Sequence, residues 1–314
     1  MIFGEGRSRD LYRRLVWGPG RRALDPLPPP WEMRVVRGCG RLAAQAVPAA
    51  RARLRDNLER AFPDRDDLDR VASDAFAAHF SNQYIGFSFP RCNVENWQKY
   101  LELRGLEHVA DLRAAGRGFV LAHPHMGPAQ LPLHVLGLLD WPMHQVGGGR
   151  VTRVELSETG QWASDTRAAL EAAMPVTVHD GRGFMRPALR ALQQGGVVMT
   201  ACDGTGGGEE LGRRAASTVL GQPMPLPIGA VWLAWKAEVP LHGVACYRRR
   251  GGGAPFQATV SRELSFERTG TKESVMASGV AALATFLDGA LREHPGDWHF
   301  WDSFEPGRLL EGTP

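Results

Sequence analysis

The sequence predicts an α/β fold with a mixed, largely parallel central sheet, flanked by helices and preceded by an N-terminal helical layer. Two observations lead to this fold class: apolar residues at helical spacing fill the first third of the chain, and short apolar runs alternate with helices after it. We expect one domain at residues 31–314, made of a helical layer (31–110) and an α/β core (111–305), behind a basic arm at 1–30.

Apolar periodicity predicts the helical layer. Residues 31–61 carry apolar side chains at helical spacing, with a break at Pro48 because proline lacks the N–H that a helix needs. From Leu68 to Phe89 apolar residues recur at steps of three and four, which is typical of an amphipathic helix. The Pro-rich segment 25–30 cannot lie inside a helix, so it marks the end of the arm.

Short apolar runs predict the core. Residues 118–122 and 196–201 each begin with glycine and continue as apolar runs, which indicates strands buried on both faces. Further strands are expected at 239–247 and 257–266. Helices are expected in the core at 183–194, 227–236 and 272–293.

Composition and charge exclude several classes of protein. With 43% hydrophobic and 23% charged residues the chain is typical of a globular protein, and its net charge of +3 does not indicate a nucleic-acid partner. Residues 1–62 hold thirteen Arg and six acidic residues. Such a basic segment can approach anionic lipids or be a solvated face, and Trp17 and Trp31 lie among its arginines, as tryptophans of a membrane interface do.

The cysteines and apolar runs bear on the cellular compartment. The four cysteines have no CxxC spacing, so we interpret them as buried thiols in a reducing compartment and expect no metal site. No apolar run reaches the roughly 18 residues of a membrane span, and no signal peptide is recognisable. We expect a cytoplasmic protein with at most peripheral contact with the inner membrane. The cysteines are Cys39, Cys92, Cys202 and Cys246.

Two histidines follow the first predicted strand directly, in the segment Ala122-His123-Pro124-His125-Met126-Gly127. Ligands of open α/β sheets bind beyond the carboxyl ends of strands, so side chains placed here belong to the candidate site.

This segment resembles the motif of the lysophospholipid acyltransferase superfamily, in its branch of lipid A and phosphatidylinositol mannoside acyltransferases. The family motif is a His followed five positions later by Asp or Glu. On that motif His125 matches the histidine, Gly127 the glycine and Gln130 the acid.

Other segments resemble the same family in the same order along the chain. Residues 53–63 are similar to its arginine-rich segment, and 179–182 to a segment that ends in an arginine, here Arg182. Asp203 stands where the family has an Asp at a strand end. Residues 220–234 and 294–301 are similar to its Phe-Gly-x-Pro-Ala stretch and its closing His-Pro…Trp segment.

The resemblance implies acyl transfer from a thioester, on acyl carrier protein or coenzyme A, to a lipid or small-molecule acceptor, with no further cofactor. His125 would remove the acceptor's proton, with Gln130 or Asp203 orienting the imidazole. Backbone donors near the motif, including the amide of Gly127, would hold the developing oxyanion.

Gln130 departs from the family pattern, because a neutral amide cannot neutralise an imidazolium. Three hypotheses follow. Another carboxylate, Asp203 or Asp180, reaches His125; or the acceptor is an amine, which asks less of the base and indicates a specialised, natural-product type of pathway; or the protein is a catalytically altered homologue that only binds an acyl chain or a carrier protein.

Four further residues are candidates for substrate binding. His123 is either an alternative base or, as its alternate side-chain direction indicates, a hydrogen-bonded loop histidine whose ring points away from that of His125. Arg182, Arg213 and Arg214 carry guanidinium groups that suit phosphate, or lie on a solvated surface. The glycine run after Asp203 is expected to form a flexible lid.

Overall fold

The N-terminal part of the protein is helical. The computed structural model describes residues 7–147, 156–181, 185–205 and 212–312. A π-helical turn, Val16–Gly20, joins the first two helices, so most of the predicted arm is helical, and Trp17 is buried against Phe87 and Trp162. The helices are α1 (Arg7–Leu15), α2 (Arg21–Leu24), α3 (Pro29–Ala46), α4 (Pro48–Ala61) and α5 (Leu68–Ile85).

Prolines set the helix boundaries of the helical layer, and a close crossing at a glycine sets how α3 packs on α5. Pro48 separates α3 from α4, as the sequence predicts, and Pro29 stands in the first turn of α3, where a missing N–H costs nothing. α3 packs along α5 so closely that a Cβ on Gly40 would lie 2.7 Å from the Cα of Ala77. The crossing therefore requires glycine at this position.

A seven-stranded sheet forms the core, in the order β1-β11-β10-β2-β5-β3-β4. Only the β10–β11 pair is antiparallel within it, so the predicted α/β fold class is confirmed. The strands of this sheet are β1 (Leu101–Arg104), β2 (Phe119–His123), β3 (Met143–Gly147), β4 (Thr177–Asp180), β5 (Val197–Ala201), β10 (Leu241–Arg248) and β11 (Phe256–Glu263). Two short antiparallel pairs lie outside it: β6 (Arg214–Ala215) with β9 (Leu226–Pro227), and β7 (Thr218–Val219) with β8 (Gln222–Pro223).

The core helices flank this sheet. They are α6 (Ala110–Ala114), α7 (Gln130–Leu138), α8 (Glu158–Ala172), α9 (Arg186–Gln193), α10 (Gly229–Lys236) and α11 (Lys272–Glu293). The sequence predicts β2, β5, β10 and β11 but not β1, β3 and β4. β3 carries polar residues at His144 and Gln145, and β4 is an exposed edge strand, so neither has an apolar run. β1 lies in the segment assigned to the helical layer, yet pairs with β11.

Two expectations are corrected, one about apolar segments and one about the burial of the cysteines. Among the described residues α11 has the length and the mean hydropathy, 1.5, at which a helix could cross a membrane, although the sequence predicts no such segment. Eight of its 22 residues are buried in the core. Cys39 is exposed on α3, whereas all four thiols were expected to be buried.

Candidate active site

The two histidines of the motif lie at the carboxyl end of β2, the central strand of the sheet. β2 is buried along its whole length, and β10 runs beside it and continues past its end. The loop after His125 packs on this extension of β10. Gly127 has φ +48°, and a Cβ there would lie 2.6 Å from the carbonyl oxygen of Cys246. The close approach and the left-handed backbone together require glycine at this position.

The imidazole of His125 is paired with the carboxylate of Asp203. Nδ1 of His125 lies 2.7 Å from Oδ1 of Asp203, and the backbone N–H of His125 donates to Oδ2, also at 2.7 Å. The indole Nε1 of Trp298 donates to the same Oδ2 at 2.9 Å. β5, which precedes Asp203, pairs in parallel with β2, so both strands deliver their following residues to one edge. The carboxylate is thus held by three donors.

The charges of this pair stabilise each other. Burial lowers the pKa of His125, but the charge and hydrogen bond of Asp203 outweigh burial and leave that pKa above its ordinary value. Burial raises the pKa of Asp203, but His125 and Trp298 outweigh it and leave the pKa below its usual range. Asp203 is therefore ionised and can stabilise an imidazolium.

One nitrogen of His125 remains available for chemistry. Because a carboxylate can only accept, Nδ1 carries the proton in the neutral ring, and Nε2 is then an acceptor. The side chain of His125 is 36% exposed, whereas that of Asp203 is fully buried. The arrangement is that of a general base whose tautomer is set from behind by a carboxylate.

The closing segment of the chain holds the motif loop in place. The N–H of His299 donates to the carbonyl of His125 at 3.0 Å, and the ring of Phe300 lies 4.6 Å from the imidazole, centroid to centroid. His299 itself is paired with Asn82 at 3.0 Å, and burial lowers the pKa of His299 to about 3. The sequence resemblance covers residues 294–301 but gave no sign that Trp298 would bind Asp203.

Gln130 does not lie on the imidazole. It begins α7, and its side-chain Nε2 donates to Oε1 of Glu171 at 3.1 Å. The structure therefore corrects the interpretation of Gln130 as the orienting partner of His125. Asp180 is also separated from the site, since it ends β4, three strands along the sheet from β2. Of the candidate partners, Asp203 is the one in hydrogen-bond contact with His125.

The amide of Gly127 is already bonded. It donates to the carbonyl of Asp297 at 2.8 Å, so in this conformation it does not provide the oxyanion donor that the resemblance implies. The amides of Met126 and Ala129 also donate, to Pro124 and Gly127. Donors to an oxyanion must therefore come from other groups or from a change in this loop.

His123 is a buried neighbour of the pair. Its Nδ1 lies 3.1 Å from the carbonyl of Pro124, and its ring centroid lies 5.7 Å from that of His125. Burial and the nearby His125 lower the pKa of His123 to about 4, so it is neutral at physiological pH. The contact with Pro124 agrees with the predicted hydrogen-bonded loop histidine. The alternative role as the base requires a ring open to substrate, whereas His123 is buried.

The candidate arginines differ in position. Arg182 and part of the glycine run lie outside the described residues. Arg213 is exposed, and Arg214 is half-buried in β6. Nη2 of Arg214 lies 2.7 Å from where a Cβ on Gly204 would be, so its guanidinium packs on the residue that follows Asp203. Arg214 is thus beside the site.

A cavity of about 790 Å³ lies away from this pair. Its lining includes His108, Pro240 and His242, which lie near the amino-terminal end of β10. His125 lies at the opposite edge of the sheet, so this cavity is not the space beside the imidazole.

Comparison with known proteins agrees with the resemblance of the motifs. The search of curated proteins gave no significant match. The family described as bacterial lipid A biosynthesis acyltransferase matches residues 19–302, which is most of the chain. That range contains the His125–Asp203 pair, which we call the dyad, and the closing segment up to Trp301. The chain therefore belongs to the bacterial lipid A biosynthesis acyltransferase family.

Proposed function

We propose that the protein transfers an acyl group from a thioester, on acyl carrier protein or coenzyme A, to a hydroxyl of a lipid acceptor, with His125 as the general base and Asp203 as its carboxylate partner. The observation that carries this proposal is the 2.7 Å contact between the two side chains at the carboxyl edge of the sheet. Family membership supports the class of reaction.

The proposed reaction needs no covalent enzyme intermediate. Nε2 of His125 takes the proton of the acceptor hydroxyl as its oxygen attacks the thioester carbonyl, forming a tetrahedral oxyanion. The imidazolium, stabilised by Asp203, then gives this proton to the departing sulfur as the C–S bond breaks. An ester and a free thiol result, and His125 returns to its neutral form.

The contact with Asp203 bears on the choice of acceptor. The amine hypothesis rested on a missing carboxylate at Gln130, and Asp203 supplies a carboxylate from the segment after β5. A hydroxyl acceptor is therefore favoured. Matched alcohol and amine acceptors, offered to the purified protein with one acyl thioester, distinguish the two, and exclusive amide formation would refute this assignment.

The His125→Ala variant tests the base. We expect its turnover to fall by about 10²- to 10⁴-fold, the usual contribution of a positioned general base, while the fold is retained because the ring is partly exposed. Thiol release from the donor measures turnover, and circular dichroism checks the fold. Activity within a few-fold of wild type would remove His125 from the mechanism, and acyl binding without thiol release in the wild type would favour a binding module.

A further inference from the structure

Helix α3 carries an exposed apolar stripe. Trp31, Val35 and Leu42 are 57%, 43% and 66% exposed, although each is a large apolar residue. At about 100° per residue these three positions fall within about 40° of one another around the helix axis. They therefore form one continuous strip along a surface helix rather than scattered exposures.

A basic groove borders this stripe. It has a volume of about 1000 Å³, and seven cationic side chains line it, among them Arg34, Arg41 and the run Arg248–Arg250. No carboxylate is found among the described residues of its lining. Arg34 and Arg41 lie about 60° to 80° from Trp31 around α3, so one helix presents the apolar strip and the adjacent positive charge. The guanidinium of Arg34 also stacks on the Trp31 ring at 4.6 Å.

The carboxylates behind the groove do not balance its charge. Asp74 is contacted by Arg41 at 2.8 Å, by Arg248 at 3.6 Å and by Arg37 at 3.7 Å. One carboxylate thus faces several guanidinium groups. Arg249, a further cation of the groove, is paired with Glu102. Arg37 is also 3.7 Å from Asp297, whose carbonyl binds the motif loop. The groove therefore retains positive charge that an anionic partner can neutralise.

The form of the groove favours a dispersed anionic surface over a single phosphate. The N-terminus of α3 opens onto it, but Pro29 and Pro30 have no N–H, and the N–H of Trp31 donates to Pro28. A tight phosphate site normally uses such backbone donors. Here the cations are side chains, spread beside an apolar strip that a soluble phosphate compound would leave in water.

We propose that α3 lies in the interface of an anionic phospholipid bilayer, with Trp31, Val35 and Leu42 entering the headgroup region and the basic groove facing the lipid phosphates. Interfacial helices combine an apolar face with cationic flanks in this way. The groove is formed in part by the residues that end β10, at the same edge of the sheet as His125. Docking through α3 therefore turns the catalytic edge toward the lipid.

Vesicle binding of the full chain tests this surface without measuring turnover. Sedimentation with phosphatidylcholine vesicles, with or without about a third of phosphatidylglycerol, gives the partition coefficient. Each Arg near an anionic lipid surface should raise this coefficient by about fivefold. We expect binding only to the anionic vesicles, weakening as salt is raised. Arg34→Glu should lower it at least tenfold, and Leu42→Ser severalfold.

Matched variants control for charge and hydrophobicity. Arg53→Glu makes the same charge change at an exposed position of α4. Val94→Ser removes an apolar side chain that is 59% exposed and lies outside α3. Both should bind like wild type. The proposal is overturned if no variant differs, if wild type does not bind anionic vesicles, or if Arg34→Glu weakens binding while Leu42→Ser does not. An acidic protein bound through Arg34 in place of vesicles would also overturn it.

Discussion

The substitution Asp203→Asn tests the proposed dyad at its most buried group. Asp203 accepts hydrogen bonds from Nδ1 and the backbone N–H of His125 and from Trp298. Asparagine has one oxygen for these three donors and turns an N–H₂ group toward the rest. It therefore removes the negative charge and also leaves donors without partners, including the one that sets the tautomer of His125.

We expect this substitution to lower turnover by about 10³- to 10⁴-fold. Replacing the acid of the serine protease triad by its amide costs about 10⁴-fold, largely through the tautomer, and His125 uses the same Nδ1 contact. Since each tenfold change corresponds to about 1.4 kcal/mol, the expected rise in the barrier is about 4 to 5.5 kcal/mol. Thiol release from the acyl donor, at saturating acceptor, measures this effect.

The pH profile of the same variant gives a second readout. In wild type the neutral base is lost as pH falls through the pKa of His125, which Asp203 holds above the ordinary value of 6.5. Without that charge the effect of burial remains, and burial lowers the pKa. The acidic limb of the profile should therefore move to lower pH in Asp203→Asn. A purely structural role for Asp203 would not move it.

Gln130→Ala is the matched control for Asp203→Asn. Its side chain bonds to Glu171, so we expect turnover within about threefold of wild type. The reasoning is wrong if Asp203→Asn retains activity within about tenfold while folded, or if Gln130→Ala loses as much as Asp203→Asn does.

Two further substitutions test the contacts around the site and the helical layer. Trp298→Phe removes a hydrogen bond to the Asp203 carboxylate, so the free energy of unfolding should fall by about 1.5 to 3 kcal/mol, measured by urea denaturation at neutral pH; an unchanged midpoint would contradict this. Gly40→Ala should destabilise by about 1 to 3 kcal/mol because its Cβ meets Ala77, whereas Gly38→Ala, with no atom within 4 Å, should stabilise by up to about 1 kcal/mol. Equal effects at the two glycines would refute the close-crossing argument.

The elements of the core were predictable where burial leaves a pattern in sequence. β2 and β5 are buried on both faces and therefore consist of apolar runs, and α11 repeats its apolar residues at helical spacing. β3 and β4 were missed because half-exposed strands need no such run. Proline placed the break between α3 and α4 for a local reason, the missing N–H.

The family, the fold class and the location of His125 after a buried strand could be predicted from the sequence alone, because these depend on local patterns and on motifs in a fixed order. Which carboxylate serves His125 was decided only by the tertiary structure. Asp203 is 78 residues away in the chain, and its contact depends on β5 pairing with β2. Gln130, five residues from His125, instead points to Glu171, because α7 begins at Gln130 and carries its side chain toward α8.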